Sequence, residues 1–409
     1  MNNILVYFTA SYPYGTRETY LHNEILMLSK YFEHIYILPM YNPTKSSTRR
    51  VTPSNVIVIE PLAPQGISRL VSGIFNLTPC IEYLKEFFSE NIYSDISKMK
   101  RWFNSMLVYR IVYAKFKDIK KGIPLNSILY SYWAEAPLFT TKLCRDYKKV
   151  VRMHAGDFYL DRNKNYLPLR HLIYQKSDLL LPISEDIRQK LISYYNIDNK
   201  KIFLNYLGTY NDDDITINRQ VSNNGLDLIR IVSCSNVYKL KRIDLIIDIF
   251  SHIKTNKTIE WHHFGTGSKE DMAFLNKKAK ELNTENIKTV FHGQVSQKQL
   301  YEFYRNHYVH WFINVSEHEG LPVSIMEAFS FGIPAIATDV GATKEIVDES
   351  NGYLIPKFFN PQLVSEKIKN LDDEAKYRSK RNHAFLTWKE RFDASRNYLL
   401  LRDKLKECS

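Results

Sequence analysis

Ser316-Glu-His-Glu-Gly-Leu-Pro-Val-Ser-Ile-Met-Glu-Ala-Phe-Ser-Phe-Gly-Ile-Pro-Ala-Ile-Ala-Thr-Asp-Val-Gly341 decides how the rest of the chain is read. It reads as a loop bearing one carboxylate, a helix bearing a second, and a buried strand ending in a glycine turn. Pro322 suits the first helical position, where its missing N–H costs nothing. Backbone N–H groups around Gly320, Leu321 and Val323 then face whatever lies before the helix, together with the positive end of its dipole. That combination is an anion site matched to a phosphate. Glu319 precedes the helix and Glu327 lies one to two turns inside it, both within reach of ligand hydroxyls. A phosphate flanked by polyols is a nucleotide sugar.

Working outward, both sides of this stretch alternate strands and helices. In the first half, Ile4–Thr9 reads as a buried strand and residues 17–29 as a helix with Leu21, Ile25 and Leu28 on one face. Ile35–Leu38, Val56–Ile59, Ile128–Tyr132, Val150–His154 and Leu179–Leu181 read as further strands, and residues 80–119 as a long aromatic-rich helical region. The polar segment 209–227 reads as a linker between domains at 1–208 and 228–385. The second half restarts with strand Leu228–Cys234, helix 242–252, strand Ile259–Phe264, helix Lys269–Leu282, and strands Ile287–Phe291, His310–Val315 and Ala335–Thr338. Residues 386–409 read as a terminal helix that crosses back to the first domain. Strands alternating with helices imply parallel sheets covered on both faces.

The 409 residues suffice for two or three domains with proper cores, and 44% hydrophobic and 13% aromatic residues fit a globular protein. Cys80, Cys144, Cys234 and Cys408 show no metal-ligand spacing, which argues against a zinc site or disulfide framework and fits a reducing compartment. The N-terminus reads as a first strand rather than a signal peptide, and no run approaches the roughly 18 apolar residues of a membrane span. A cytoplasmic location is the expectation. Net charge is +12, and residues 1–208 hold 28 Lys+Arg against 17 Asp+Glu, so the first half carries nearly all the excess. That half is suited to an anionic partner such as a membrane surface or a lipid diphosphate, and the aromatic-basic region 80–119 to a peripheral membrane contact. No nucleic-acid module is recognised.

The window 316–341 closely resembles the E-x7-E region of family 4 retaining glycosyltransferases, and the likeness extends along nearly the whole chain. The resemblance implies an α/β fold of the GT-B type, two Rossmann-like domains with a ligand cleft between them. It implies transfer of a hexosyl or N-acetylhexosaminyl group from a nucleotide-sugar donor, UDP favoured over GDP, to a glycan or lipid-linked glycan, as in bacterial surface polysaccharide synthesis. Retention of configuration follows, with no cofactor and no essential metal. By the same resemblance Lys241 matches a diphosphate-gripping lysine. The partner arginine of that motif falls on Asn236, and Arg242 is the candidate substitute. His154, in Val151-Arg-Met-His-Ala-Gly-Asp, matches a histidine that contacts the transferred sugar, and Glu319 and His154 are the catalytic candidates. Asp157 either contacts the acceptor or caps the next helix. Gly15 stands where the family has a glycine-rich loop, and the turns Gly265-Thr-Gly267 and Phe291-His-Gly293 stand where it flanks the base. A nucleotide-sugar epimerase and a non-catalytic carbohydrate- or lipid-binding protein are the rival classes on this fold.

Overall fold

The computed structural model describes residues 4–15, 18–44, 48–211, 227–369, 371 and 373–408, and it divides the chain into two compact units. The first comprises Met1–Tyr206 with Tyr398–Ser409, the second Leu207–Asn397.

The first unit holds strands β1 (Ile4–Thr9), β2 (His34–Pro39), β3 (Val56–Val58), β4 (Ile128–Ser131), β5 (Lys148–Met153) and β6 (Leu179–Pro182). They form one parallel sheet in the order β3-β2-β1-β4-β5-β6. β1, β4 and β6 are buried along their whole length, the pattern of a sheet covered on both faces. Its helices are α1 (Thr19–Leu28), α2 (Ile67–Phe75), α3 (Ile81–Ser89), α4 (Ile96–Ile119), α5 (Ala155–Phe158), α6 (Arg170–Lys176) and α7 (Glu185–Ser193). The helical region expected over 80–119 consists of two helices, α3 and α4, separated by a short 3-10 turn at Ile92–Ser94. Asp95 starts the second by accepting hydrogen bonds from the amides of Ser97 and Lys98. Most aromatics of this region are core or partly covered: Trp102, Tyr109 and Phe116 are buried. Exposed apolar side chains occur both in this region, at Ile81, Phe88 and Ile96, and on and after α2, at Ile67, Phe75 and Leu77.

The second unit repeats the plan. Strands β7 (Leu228–Cys234), β8 (Thr258–Phe264), β9 (Ile287–Gly293), β10 (Trp311–Asn314), β11 (Ala335–Thr338) and β12 (Gly352–Ile355) order as β12-β11-β10-β7-β8-β9, all parallel. Its helices are α8 (Ile243–Ser251), α9 (Lys269–Leu282), α10 (Gln297–Asn306), α11 (Val323–Phe329), α12 (Pro361–Lys369) and α13 (Glu374–Thr387). Read from the third strand of each unit, both sheets run 3-2-1-4-5-6, the doubly wound order.

Most of the expected linker, 212–226, lies outside the described residues. Its start is pinned rather than loose. Thr209 donates its amide to Phe392 (2.9 Å) and accepts from the indole of Trp388 (2.9 Å), and a Cβ on Gly208 would sit 2.6 Å from Ala394. Helix α14 (Ala394–Cys408) begins in the second unit and ends in the first, where Leu401 and Leu405 join the core with Leu21, Ile25 and Leu28 of α1. Among the described residues no helix is long and apolar enough to cross a membrane.

A buried ion pair runs through the first core. The Arg152 guanidinium lies 3.3 Å from the Glu24 carboxylate, donates to Tyr130 (2.7 Å) and Asn205 (2.6 Å), and Glu24 also accepts from Tyr7 and Tyr130. Both charges are inaccessible to water. Removing one partner strands the other, so Glu24→Ala should cost about 3–5 kcal/mol of stability. Urea unfolding of the two proteins side by side checks this; a loss below about 1 kcal/mol would contradict it.

Candidate functional site

In a sheet ordered 3-2-1-4-5-6 the connections from the two central strands leave on opposite faces, opening a crevice at their carboxyl ends. In the second unit those strands are β7 and β10. The loops that follow them are stitched together by a hydrogen bond from the Glu317 amide to the Leu240 carbonyl, 2.7 Å. That bond brings Lys241, one residue past Leu240, within reach of Glu319, two residues past Glu317. Lys241 Nζ lies 2.6 Å from Glu319 Oε1, and Asn314 Nδ2 donates to the same oxygen at 3.1 Å. The side chains are 18% and 11% exposed, so water screens their attraction only weakly.

The glycine turn closing the quoted stretch holds this loop. Gly341 has φ +55°, and a Cβ there would lie 2.0 Å from the Glu319 carbonyl, while Ala342 donates to the Gly320 carbonyl at 3.0 Å. Among the described residues the amides of Gly320, Leu321 and Val323 donate to no other backbone carbonyl. Pro322 is the N-cap rather than the first helical residue, one position from the expectation, and α11 is a short helix of 7 residues.

Arg242 corrects the expectation of a second diphosphate cation. It adopts φ +49°, which turns its guanidinium back into the unit, where it donates to the carbonyls of Val315 (2.7 Å), Ser316 (3.2 Å) and Lys357 (2.9 Å). It braces the loop carrying Glu319. Asn236 is exposed on the β7 loop. The glycines of the expected base-flanking turn allow a close approach: a Cβ on Gly265 would fall 1.8 Å from the Ser235 carbonyl, and one on Gly267 2.2 Å from that of Val237.

Glu327 lies buried in α11, where Gln297 donates to its Oε1 at 2.6 Å. Burial pushes its carboxyl up from 4.5 to about 7, against the opposing pull of the Gln297 hydrogen bond. Two neighbours were invisible in the sequence. Burial, then the nearby Glu327 charge, raises the Cys234 thiol to about 12, and the buried Tyr304 hydroxyl has no hydrogen-bond partner. Tyr304 follows Leu300 and Tyr301 at helical spacing, so its period reads as plain core.

In the first unit His154 follows β5, its ring centroid 4.8 Å from Tyr132 and 4.6 Å from Trp133. Burial, reinforced by the Arg152 cation, lowers its pKa to about 3, so the imidazole is neutral at any physiological pH, and its buried Nε2 has no hydrogen-bond partner. Asp157 accepts from the amides of His154 (2.7 Å) and Ala134 (2.6 Å), which resolves the choice left open for it: it caps and ties the β4 and β5 loops. Gly15 has φ +69°, the conformation that favours glycine, and the two residues after it lie outside the described residues. Glu18 folds back at φ +56°, and its carboxylate accepts from the amides of Ala10 (3.0 Å), Ser11 (2.7 Å) and Tyr12 (2.7 Å). An internal carboxylate sits where an anion was expected.

Comparison with known proteins bears on this geometry. Residues 214–384, a stretch within the second unit, match the family model described as Glycosyl transferases group 1. Over 142 residues the chain is 29% identical to the UDP-N-acetylglucosamine–peptide N-acetylglucosaminyltransferase GtfA subunit of Streptococcus agalactiae, a match covering 33% of this chain and 26% of that protein. The match thus spans about a quarter of that relative's length. Among solved structures, Anabaena Alr3699/HepE in complex with UDP aligns with TM-score 0.65 at 15% identity, over 99% of this chain and 100% of that one. Sucrose-phosphate synthase from Thermosynechococcus elongatus aligns with TM-score 0.68 at 13% identity, over 99% and 98%. At these identities the likeness establishes the fold, and that fold is GT-B with two Rossmann-like domains, as expected.

The buried carboxyl gives a pH signature. Native Glu327 keeps its proton up to about pH 7, whereas the unfolded chain releases it near 4.5, so this group's ionisation erodes stability as pH rises through that window. Glu327→Gln is permanently neutral and escapes the loss. Its melting temperature should equal or exceed that of the wild type at pH 8 and coincide with it near pH 4. A variant less stable at pH 8 than at pH 4, relative to wild type, would refute the buried-acid reading.

Proposed function

We propose that the chain is a retaining glycosyltransferase that moves a hexosyl or N-acetylhexosaminyl group from a nucleotide-diphosphate sugar to a glycan or lipid-linked glycan. UDP is the favoured nucleotide and GDP the next. The observation that carries the reading is the Lys241–Glu319 pair beside the unbonded amides of Gly320–Val323, inside the segment that matches the group 1 model. The UDP-bound neighbour and the UDP-N-acetylglucosamine named for the streptococcal relative favour UDP.

Transfer breaks the bond between the anomeric carbon and the diphosphate and forms one to the acceptor oxygen on the same face. The acceptor's proton passes to the departing phosphate oxygen. Negative charge therefore grows on the diphosphate, where Lys241 and the loop amides are fixed in advance to receive it. Arrival of the diphosphate draws Lys241 from Glu319 and leaves that carboxylate free to accept from a sugar hydroxyl. Glu327 takes the ribose hydroxyls. His154 serves the sugar as a neutral hydrogen-bonding group, because an imidazole with pKa about 3 does not carry a proton at neutral pH. In this scheme no metal ion is required.

Lys241→Ala and Glu319→Ala should each lower transfer at least tenfold in protein that circular dichroism shows to be folded, since removing one preorganised electrostatic partner typically costs 10²–10³ in rate. Full activity in either variant counts against the assignment. Proton NMR of the product from an α-linked donor should show an α-linkage, and EDTA should leave the rate unchanged. A β-linked product would overturn retention.

A further inference from the structure

The first unit contains a cavity of about 290 Å³ that none of the roles above uses. The carboxyl ends of its central strands open into it, through Phe8 of β1, Ser131 of β4 and Met40 just past β2. That is the position at which doubly wound sheets take ligands. Helix α4 adds Arg101 and Tyr109, and Arg170 opens α6 against the same space.

Arg170 is 4% exposed, yet its Nε and Nη1 have no hydrogen-bond partner, and among the described residues it makes no ion pair. Arg101 spends Nη2 on Asn163 (2.7 Å) and keeps a buried, partnerless Nε. The carboxyls that feel Arg170 are engaged elsewhere. Asp157 holds the amides of His154 and Ala134, and Glu86 accepts from the Tyr166 hydroxyl and the Leu169 amide. The one acidic lining residue, Glu135, is exposed. A guanidinium taken out of water without a counter-ion is a standing cost that a bound anion removes, and its planar fork fits phosphate or carboxylate.

We propose that this cavity binds the anion-bearing sugar of the glycosyl acceptor, with a phosphate or carboxylate on Arg170 and Arg101 and the sugar ring against Tyr109 and Phe139. The volume lies at the lower end of ligand pockets, roughly 300–1,000 Å³, and suits one charged monosaccharide rather than a longer stretch of glycan. Only the word acceptor rests on the transferase reading; anion binding stands without it.

The test is calorimetry on the full chain saturated with UDP, so that the nucleotide site is filled. Glucose 6-phosphate, glucuronate and methyl glucoside are titrated in turn. At least one anionic sugar binds at least tenfold tighter than methyl glucoside, and which one binds separates a phosphate from a carboxylate ligand. Arg170→Gln weakens that binding at least tenfold and leaves UDP affinity unchanged. Should Arg170→Gln fail to fold, Arg101→Gln carries the same comparison. Equal binding of charged and neutral sugars, no binding of either anion up to about 10 mM, or undiminished binding in the folded arginine variant overturns the proposal. If UDP itself fails to bind, the transferase reading falls, and the anion titrations still decide the cavity.

Discussion

The contact around which the candidate site of the second unit is arranged is a single ion pair, Lys241 to Glu319, 2.6 Å apart and mostly out of water. Two opposite charges in that setting are each other's solvent. Their positions are fixed by backbone rather than by the side chains themselves. The Glu317–Leu240 hydrogen bond joins the loops, Arg242 clamps three carbonyls, and Gly341 admits the carbonyl of Glu319 to a space a Cβ would fill. Under the proposed function, an entering diphosphate would find its cation already in place and have only to compete with one carboxylate. The cost of gathering charge is met when the chain folds, which is the condition for preorganised electrostatics.

The same economy of paired groups appears at the carboxyl edge of the first sheet, with the opposite outcome. There Glu18 satisfies the amides of Ala10, Ser11 and Tyr12, and Asp157 satisfies those of Ala134 and His154. These carboxylates build loops instead of waiting for ligands. Among the described residues, the buried atoms left unpaired there include His154 Nε2, Arg101 Nε, and Nε and Nη1 of Arg170. Polar groups open to a ligand are thus few, and each stands out against a background of satisfied ones.

Much of this was legible in the sequence, for a physical reason. Strands buried on both faces must be continuous apolar runs, so β1 and β11 were read with their observed bounds. Lys241 and Glu319 were read as separate residues of one ligand site, and their ion pair was not legible. Side-chain direction was not legible. A φ of +49° at Arg242 turns its guanidinium inward, and nothing in the residue's identity announces it. Glu18 likewise reads as an ordinary first-turn acid until its left-handed backbone folds the carboxylate onto the preceding loop. Glu24 and Arg152, 128 positions apart in sequence, are joined only by the order in which the strands assemble. The division of the 80–119 helical region was not legible because α3 and α4 share one composition, and only a 3-10 turn with Asp95 as cap divides them.

Helix α14 gives the molecule a temporal constraint. Leu401 and Leu405 complete the core against α1, whose own residues lie near the start of the chain. On a ribosome, the first unit would emerge with that face of its core unsealed, and would remain so while nearly two hundred residues of the second unit were translated. The second unit faces no such wait, since Leu207–Asn397 is contiguous in sequence. The half made first is therefore the half finished last, and its exposed seam is a natural client for a chaperone during synthesis.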